Sequence, residues 1–421
     1  MKPAWANRES VRFATLYADA ISGLTVALVA LPLAIAFGEA SGLGAHAGIT
    51  TAILAGFVAA AFGGSRFQVS GPTGAMTVVL IPIAAGFGAN GVLLVGLVAG
   101  ALLVLAGLLK IGHHVHRLPT AVIEGFTAGI ALVIALQQIP SALGVTVTSR
   151  PKAWESAWLA LVDWGRAPTW AAVAMALVVA LLVYLGNHRW ARLPVSIAVL
   201  TLATIVSQMI PLSLATIPKL PSALGTLDAS FLGQSSNWGQ LVAPALAVAA
   251  LAALESLLSA KVADNLRGDG TEHNSDKELI GQGLANLVVP FFGGVPATAA
   301  LARTAVNVRS GAQTKLAAML HSVFLAIIVL LCANYVELIP TPALAGVLLA
   351  TAAQMVKPRG LWQEVRRSKL DAIVLVLTLA LTVITDLTTA LIVGAVSWLV
   401  LRRTPLDGAL PRVSQDETLG D

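Results

Sequence analysis

Phe62-Gly63-Gly64-Ser65-Arg66-Phe67-Gln68-Val69-Ser70-Gly71-Pro72-Thr73-Gly74-Ala75 is the stretch on which the fold turns, and Phe292-Gly293-Gly294-Val295-Pro296-Ala297-Thr298-Ala299 echoes it. Both follow a Phe-Gly-Gly with a proline and small residues, and both interrupt runs that are otherwise apolar. Proline is tolerated in the first turn of a helix and pre-sets its backbone angle. Each stretch therefore reads as the start of a half-helix near mid-membrane, preceded in the first case by a short polar extended piece. The free N–H groups and positive dipole end of such a helix favour an anion. Irregular backbone at that depth is stable only where it is buried in protein or lines a wet cavity. The alternative is that Pro72 and Pro296 merely kink two ordinary helices.

The rest of the chain fits a membrane setting. Of 421 residues, 57% are hydrophobic and only 11% are charged. A soluble domain carries roughly 25% charged residues to wet its surface. The net charge of +5 does not point to nucleic acid, because the basic residues lie between apolar runs, as the positive-inside rule requires. Cys332 is the only cysteine, which excludes a disulfide framework and a thiolate metal site. The segment 1–18 carries Lys2, Arg8 and Arg12 without a cleavage-type signal, so the first span is expected to stay as an anchor.

A full span needs about 20 apolar residues. Runs bounded by Pro, Gly or charge give fourteen candidates: 19–41, 46–63, 72–85, 90–109, 118–138, 169–186, 193–211, 241–261, 278–292, 297–308, 314–333, 343–356, 370–385 and 387–401. With both termini cytoplasmic, 21 of the 26 Lys and Arg fall inside. Arg150, Lys152, Arg166 and Lys219 fall outside, and Arg303 lies within a span. One span more or fewer would reverse every later loop and destroy this asymmetry. Trp154, Trp158, Trp164 and Trp170 gather around the longest outer loop, where amphipathic rings favour the interface. A linker, Pro211 to Gln240, separates 19–211 from 241–403, seven spans each, and 404–421 forms a short cytoplasmic tail. An odd number of spans makes the two sets an inverted repeat. Each broken segment is third in its set, the best sequence pointer to a transporter binding site.

The stretches Ser70-Gly-Pro-Thr-Gly-Ala-Met-Thr77, Leu251-Ala-Ala-Leu-Glu-Ser-Leu-Leu-Ser-Ala260 and Ala299-Ala-Leu-Ala-Arg-Thr-Ala305 resemble the SulP (sulfate permease) family. So do His273-Asn-Ser-Asp-Lys-Glu-Leu-Ile-Gly-Gln-Gly283 and Val308-Arg-Ser-Gly311, and the match runs from about Ala18 to Arg403. That family includes bicarbonate, sulfate and dicarboxylate transporters and the motor protein prestin. The resemblance implies an all-α, fourteen-span fold shared with uracil permeases, with spans one to four and eight to eleven as core and the others as gate. It implies an anion between the N-termini of half-helices three and ten, elevator-like motion of the core, and a homodimer. Members usually carry a cytoplasmic STAS domain after the last span, whereas only eighteen residues follow Arg403. The expectation is therefore a truncated chain or a short member.

Glu255 lies in an apolar helix, with Ser259 one turn later on the same face. Intramembrane acids are functional hypotheses by default. By resemblance, Glu255 and Ser259 help form a Na⁺ site, or Glu255 takes a proton. A salt bridge fixing the helix is the structural alternative. Arg303 matches an arginine that lines the anion pocket in prestin-like members. It supplies positive potential to the anion or neutralises Glu255. Thr73, Gly74 and Ala75 in half-helix three, with Ala297, Thr298 and Ala302 in half-helix ten, offer backbone N–H and hydroxyl donors too few for an elaborate ligand. Phe37 gives the pocket an apolar wall by resemblance, or packs in the core. Glu39, near the outer end of span one, is a second coupling candidate or a solvated acid. Glu124 suits a helix N-terminus, and Asp386 a solvated turn.

His113, His114 and His116 lack a partner cluster for metal and read as a solvated basic loop. The absence of a Walker motif argues against direct ATP drive, and no cofactor is implied beyond Na⁺ or H⁺ as coupling ion. The expectation is a secondary active transporter of a small anion (bicarbonate, sulfate or a dicarboxylate such as fumarate) in the cytoplasmic membrane. The rivals are an uncoupled anion channel or exchanger and a nucleobase–proton symporter. An enzyme is disfavoured because no nucleophile–base pair or metal set accompanies the buried acid.

Overall fold

A computed structural model of the chain describes residues 4–112, 119–147, 152–190, 195–210, 213–217, 227–233, 238–356, 358–385 and 387–401. His113, His114, His116, Arg150, Lys219, Asp386 and the tail 404–421 lie outside the described residues, as do the side chains of Arg8, Arg12 and Cys332.

Every expected span overlaps a helix. The first set comprises α1 (Ala4–Ala40), α2 (Gly44–Phe62), α3 (Gly74–Leu108), α4 (Thr120–Leu143), α5 (Ala153–Arg166), α6 (Trp170–Arg189) and α7 (Val195–Met209). The second comprises α8 (Trp238–Arg267), α9 (Ser275–Val288), α10 (Leu301–Arg309), α11 (Lys315–Val336), α12 (Thr341–Met355), α13 (Pro358–Arg367), α14 (Lys369–Ile384) and α15 (Leu387–Leu401). Expected spans three and four are the two parts of α3, which breaks at Gly88. Its φ of 68° is a left-handed backbone that glycine adopts without strain. Among the described residues, six helices are long and apolar enough to cross a membrane. Apart from α11, at 22 residues, the others are shorter, α10 markedly so at nine residues.

Half-helix ten starts later than expected. Residues 297–299 do not open the helix. They are extended, and Thr298–Ala299 (β2) pairs antiparallel with Ser70–Gly71 (β1), with Ser70 opposite Ala299 and Gly71 opposite Thr298. Nor do the prolines stand in the first helical turn, since Pro72 precedes the Thr73 N-cap and Pro296 precedes β2. Sheet pairing supplies partners for backbone groups that a helix would otherwise have satisfied.

Two amphipathic helices replace expected loops. α5 occupies the tryptophan-rich outer segment, where the Trp164 and Trp170 rings meet edge to face at 4.8 Å. α13 connects α12 to α14 with Leu361 and Val365 turned toward a buried cluster containing Leu370 and Val374. Both carry mixed polar and apolar positions, which a search for continuous apolar runs passes over.

By contact density the chain forms two compact units, 1–116 with 134–351 and 117–133 with 352–421. The larger contains α1 to α3 and α8 to α11, together with α5, α6 and α7. Within it α3 and α9 pack backbone to backbone. A Cβ on Gly283 would come within 2.6 Å of the Val104 nitrogen and 2.7 Å of the Gly100 carbonyl oxygen, and one on Gly100 within 2.8 Å of the Gly283 carbonyl oxygen. Small residues permit such close approach between helices in lipid. Gly283→Val is expected to force α3 and α9 apart at a cost of about 1–3 kcal/mol. Thermal denaturation of the detergent-purified protein would show a lower midpoint. An unchanged midpoint would mean that the contact is looser than drawn.

Candidate functional site

One face of α9 organises both broken helices. Glu278, Gln282 and Asn286 recur every fourth residue and are buried, so they form a single polar stripe. Glu278 Oε2 accepts from the Gly64 and Ser65 N–H groups at 2.8 Å each, and Oε1 from the Gln68 amide at 2.9 Å. The Gln282 amide donates to the Ser70 hydroxyl at 2.6 Å. Asn286 clasps the Ala297 backbone, accepting from its N–H at 2.8 Å and donating to its carbonyl at 2.9 Å. The stripe therefore holds the lead-in of α3 at one end and that of α10 at the other.

Across this frame Glu255 and Arg303 approach one dipeptide. Thr73 caps α3 by accepting from the Met76 N–H at 3.3 Å and donates its hydroxyl to Glu255 Oε2 at 3.0 Å. Arg303 is 1% exposed, and its Nη2 donates to the Pro72 carbonyl at 2.6 Å. Its Nε and Nη1 meet no acceptor among the described residues. Glu255 and Arg303 lie in each other's field, yet the described side chains form no direct ion pair between them. They are joined through Pro72 and Thr73. Gly71 makes this possible, because a Cβ there would lie 2.7 Å from Arg303 Nη1.

The other expected residues divide sharply. Gly74 and Phe37 come together: a Cβ on Gly74 would meet Phe37 Cε1 at 3.2 Å and Ile134 Cδ1 at 2.3 Å. Ala75 is buried in the first turn of α3, and Ala302 is exposed in the first turn of α10. Ala300, which caps α10, has no side-chain acceptor for the helix's leading N–H groups. Thr298 is engaged with α8, its hydroxyl donating to the Ala252 carbonyl at 3.2 Å and lying 3.1 Å from the Ser256 hydroxyl. Ser259 donates to the Thr304 hydroxyl at 3.1 Å, so its oxygen is directed at α10 and makes no hydrogen bond to Glu255. Glu39 accepts from the Ala45 N–H at 2.8 Å and caps the start of α2, and Glu124 faces Gly360.

Two lead-ins are thus paired by a short sheet, with an acid and an arginine beside them. A family model described as the sulfate permease family matches residues 16–378. The chain belongs to the sulfate permease family. Among its relatives, YvdB of Bacillus subtilis (strain 168), provisionally named as a sulfate transporter, is 35% identical over 388 residues, covering 91% of this chain and 72% of that one. The bicarbonate transporter BicA of Picosynechococcus sp. (strain ATCC 27264 / PCC 7002 / PR-6) is 32% identical over 404 residues, 91% of this chain and 69% of that one. The solved transmembrane domain of a cyanobacterial BicA superposes with a TM-score of 0.81 at 31% identity, covering 90% of this chain and 98% of that domain. Members of the sulfate permease family are transporters, so this multi-pass membrane protein is a transporter and not an enzyme.

Sequence reasoning singled out the permease's charges but missed the α9 stripe. The spacing of Glu278, Gln282 and Asn286 was visible within the expected span 278–292, but that stretch was read only for its family motif. Asn307 was also missed: its amide donates to the Phe67 carbonyl at 2.8 Å while its Oδ1 accepts from Ser22 at 2.7 Å. Asn286→Ala leaves both Ala297 backbone groups buried without partners, at about 1–3 kcal/mol each. Its melting midpoint is expected to fall well below the native one, with Asn286→Asp recovering only the N–H contact. Equal midpoints for all three proteins would show that the clasp is dispensable.

Proposed function

We propose that the chain is a secondary active transporter of a small anion, carried between the N-termini of α3 and α10. The observation that carries this reading is Arg303, a fully buried guanidinium with two nitrogens unpartnered. A buried charge of this kind needs a counter-ion or acceptor, and a small oxyanion matches a guanidinium fork. The uncapped first turn of α10 adds N–H donors beside it. The names of the relatives bring bicarbonate and sulfate forward as substrates. Thr73, Gly74, Ala75, Ala302 and Arg303 then face the anion, with Phe37 behind Gly74. Thr298 and Ala297 hold the lead-in instead of the substrate.

Glu255 couples the anion to Na⁺ or H⁺ in this reading. Its position one residue pair away from Arg303 lets a cation on one side favour an anion on the other. The antiparallel meeting of β1 and β2 supports an inverted seven-plus-seven repeat, and elevator-type access between core and gate follows from it. The positive-inside count supports a cytoplasmic-membrane protein with both termini inside, working as a homodimer. A second reading, anion exchange without a coupled cation, is favoured by one observation: Ser259 donates to Thr304 rather than lending its oxygen beside Glu255.

Uptake into proteoliposomes of bicarbonate, sulfate and fumarate, each with imposed Na⁺ or proton gradients, tests both readings. Glu255→Gln keeps a partner for Thr73 but removes the charge, so gradient-driven accumulation is expected to vanish while anion exchange persists. Unchanged accumulation would sink the coupling role. Arg303→Ala removes charge-assisted contacts worth about 1.5–3 kcal/mol, so anion affinity is expected to fall at least about ten-fold. Unaltered affinity would leave Arg303 a purely structural cation.

A further inference from the structure

Helix α13 is a short connector with an unusual distribution of side chains. Between 357 and 369 the sequence sets Lys357, Arg359, Arg366, Arg367 and Lys369 against a single acid, Glu364. The helix uses one side for packing: Leu361 and Val365 lie against the cluster of Ala121, Val122, Leu370 and Val374. Glu364 accepts from the Thr120 hydroxyl at 3.0 Å. Arg367 is spent locally, with Nη1 3.7 Å from Glu364 and Nε 3.9 Å from Asp371.

The opposite side carries Arg359, Trp362, Gln363 and Arg366, all exposed. Arg366 stacks over the Trp362 ring at 4.6 Å, and neither Arg359 nor Arg366 meets a carboxylate among the described residues. Trp362 is 57% exposed. An indole left bare among free guanidinium groups suits neither water nor hydrocarbon. It suits the headgroup layer, where tryptophan rings settle and basic side chains meet anionic lipid.

We propose that this face of α13 binds the headgroups of acidic phospholipids. Arg359 and Arg366 contact the phosphate, Lys369 at the start of α14 adds charge beside them, and Trp362 anchors at the glycerol level. The stacking of Arg366 on Trp362 fixes one guanidinium and the ring as a single surface. This surface belongs to the helix and does not depend on which anion is transported.

Native mass spectrometry of the detergent-purified full chain, titrated with phosphatidylglycerol or with phosphatidylcholine of the same acyl chains, tests the proposal. The native protein is expected to retain phosphatidylglycerol in preference to phosphatidylcholine. R359Q/R366Q should lower phosphatidylglycerol retention about twenty-five-fold, roughly five-fold per charge, leaving phosphatidylcholine unchanged. Arg166→Gln, which removes a charge elsewhere, should leave the preference intact. If the double variant fails to run as a monodisperse species, Arg366→Gln alone is measured, with about a five-fold loss expected. Equal retention of the two lipids, or a preference that survives these substitutions, overturns the proposal. So does displacement of phosphatidylglycerol by millimolar inorganic phosphate, which would make this a phosphate site instead of a membrane contact.

Discussion

Backbone polar groups inside a membrane must find partners in the protein, because lipid offers none. Two buried segments of this chain are not helical, and each presents N–H and carbonyl groups that a helix would have paired internally. The β1–β2 pairing satisfies the innermost of them, and the Ala300 N–H extends it by donating to the Val69 carbonyl at 2.9 Å. The remaining groups are taken by side chains, chiefly from one face of α9. Everything at the site depends on this closure: the direction of α3, the late start of α10, and the dipeptide between the two charges.

That closure explains how the acid and the arginine coexist without direct contact. A carboxylate and a guanidinium buried together would normally collapse onto one another, leaving no positive potential for a ligand. Here Thr73 offers Glu255 a hydroxyl and Pro72 offers Arg303 a carbonyl. Proline suits this task because its carbonyl remains an acceptor while its missing N–H leaves no donor to satisfy. The guanidinium is anchored through one nitrogen, and its other two stay unspent.

Much of the fold was legible from the sequence because lipid makes hydrophobic length and charge placement nearly sufficient. The fourteen apolar runs overlap thirteen helices, the third and fourth falling on the two parts of α3 either side of Gly88. The failures have physical causes. Residues 297–299 carry no strand signal of their own and become extended only because β1 lies beside them. α5 and α13 are amphipathic, so neither offers a continuous apolar run. At the site, single charges in apolar surroundings were conspicuous. Glu255 and Arg303 were therefore singled out, while the α9 stripe, inside the expected span 278–292, was read only for the family motif that ends at Gly283. Ser259 was expected beside Glu255, but its hydroxyl partner, Thr304, is on another element, and one-dimensional spacing does not report that.

Mechanical consequences follow from where the hydrogen bonds lie. Asn286 ties α9 to the lead-in of α10, Glu278 ties it to the lead-in of α3, and Ser256 and Thr298 tie α8 to β2. Separating any one of these from the others would expose buried polar groups, each at about 1–3 kcal/mol. Glycine contacts such as that between Gly100 and Gly283 leave little room for sliding, since packed interfaces resist continuous deformation. Opening this cluster by local bending is therefore expensive, whereas displacing α3, α8, α9 and α10 together breaks none of these bonds. The proposed elevator motion is the movement that leaves this polar network intact.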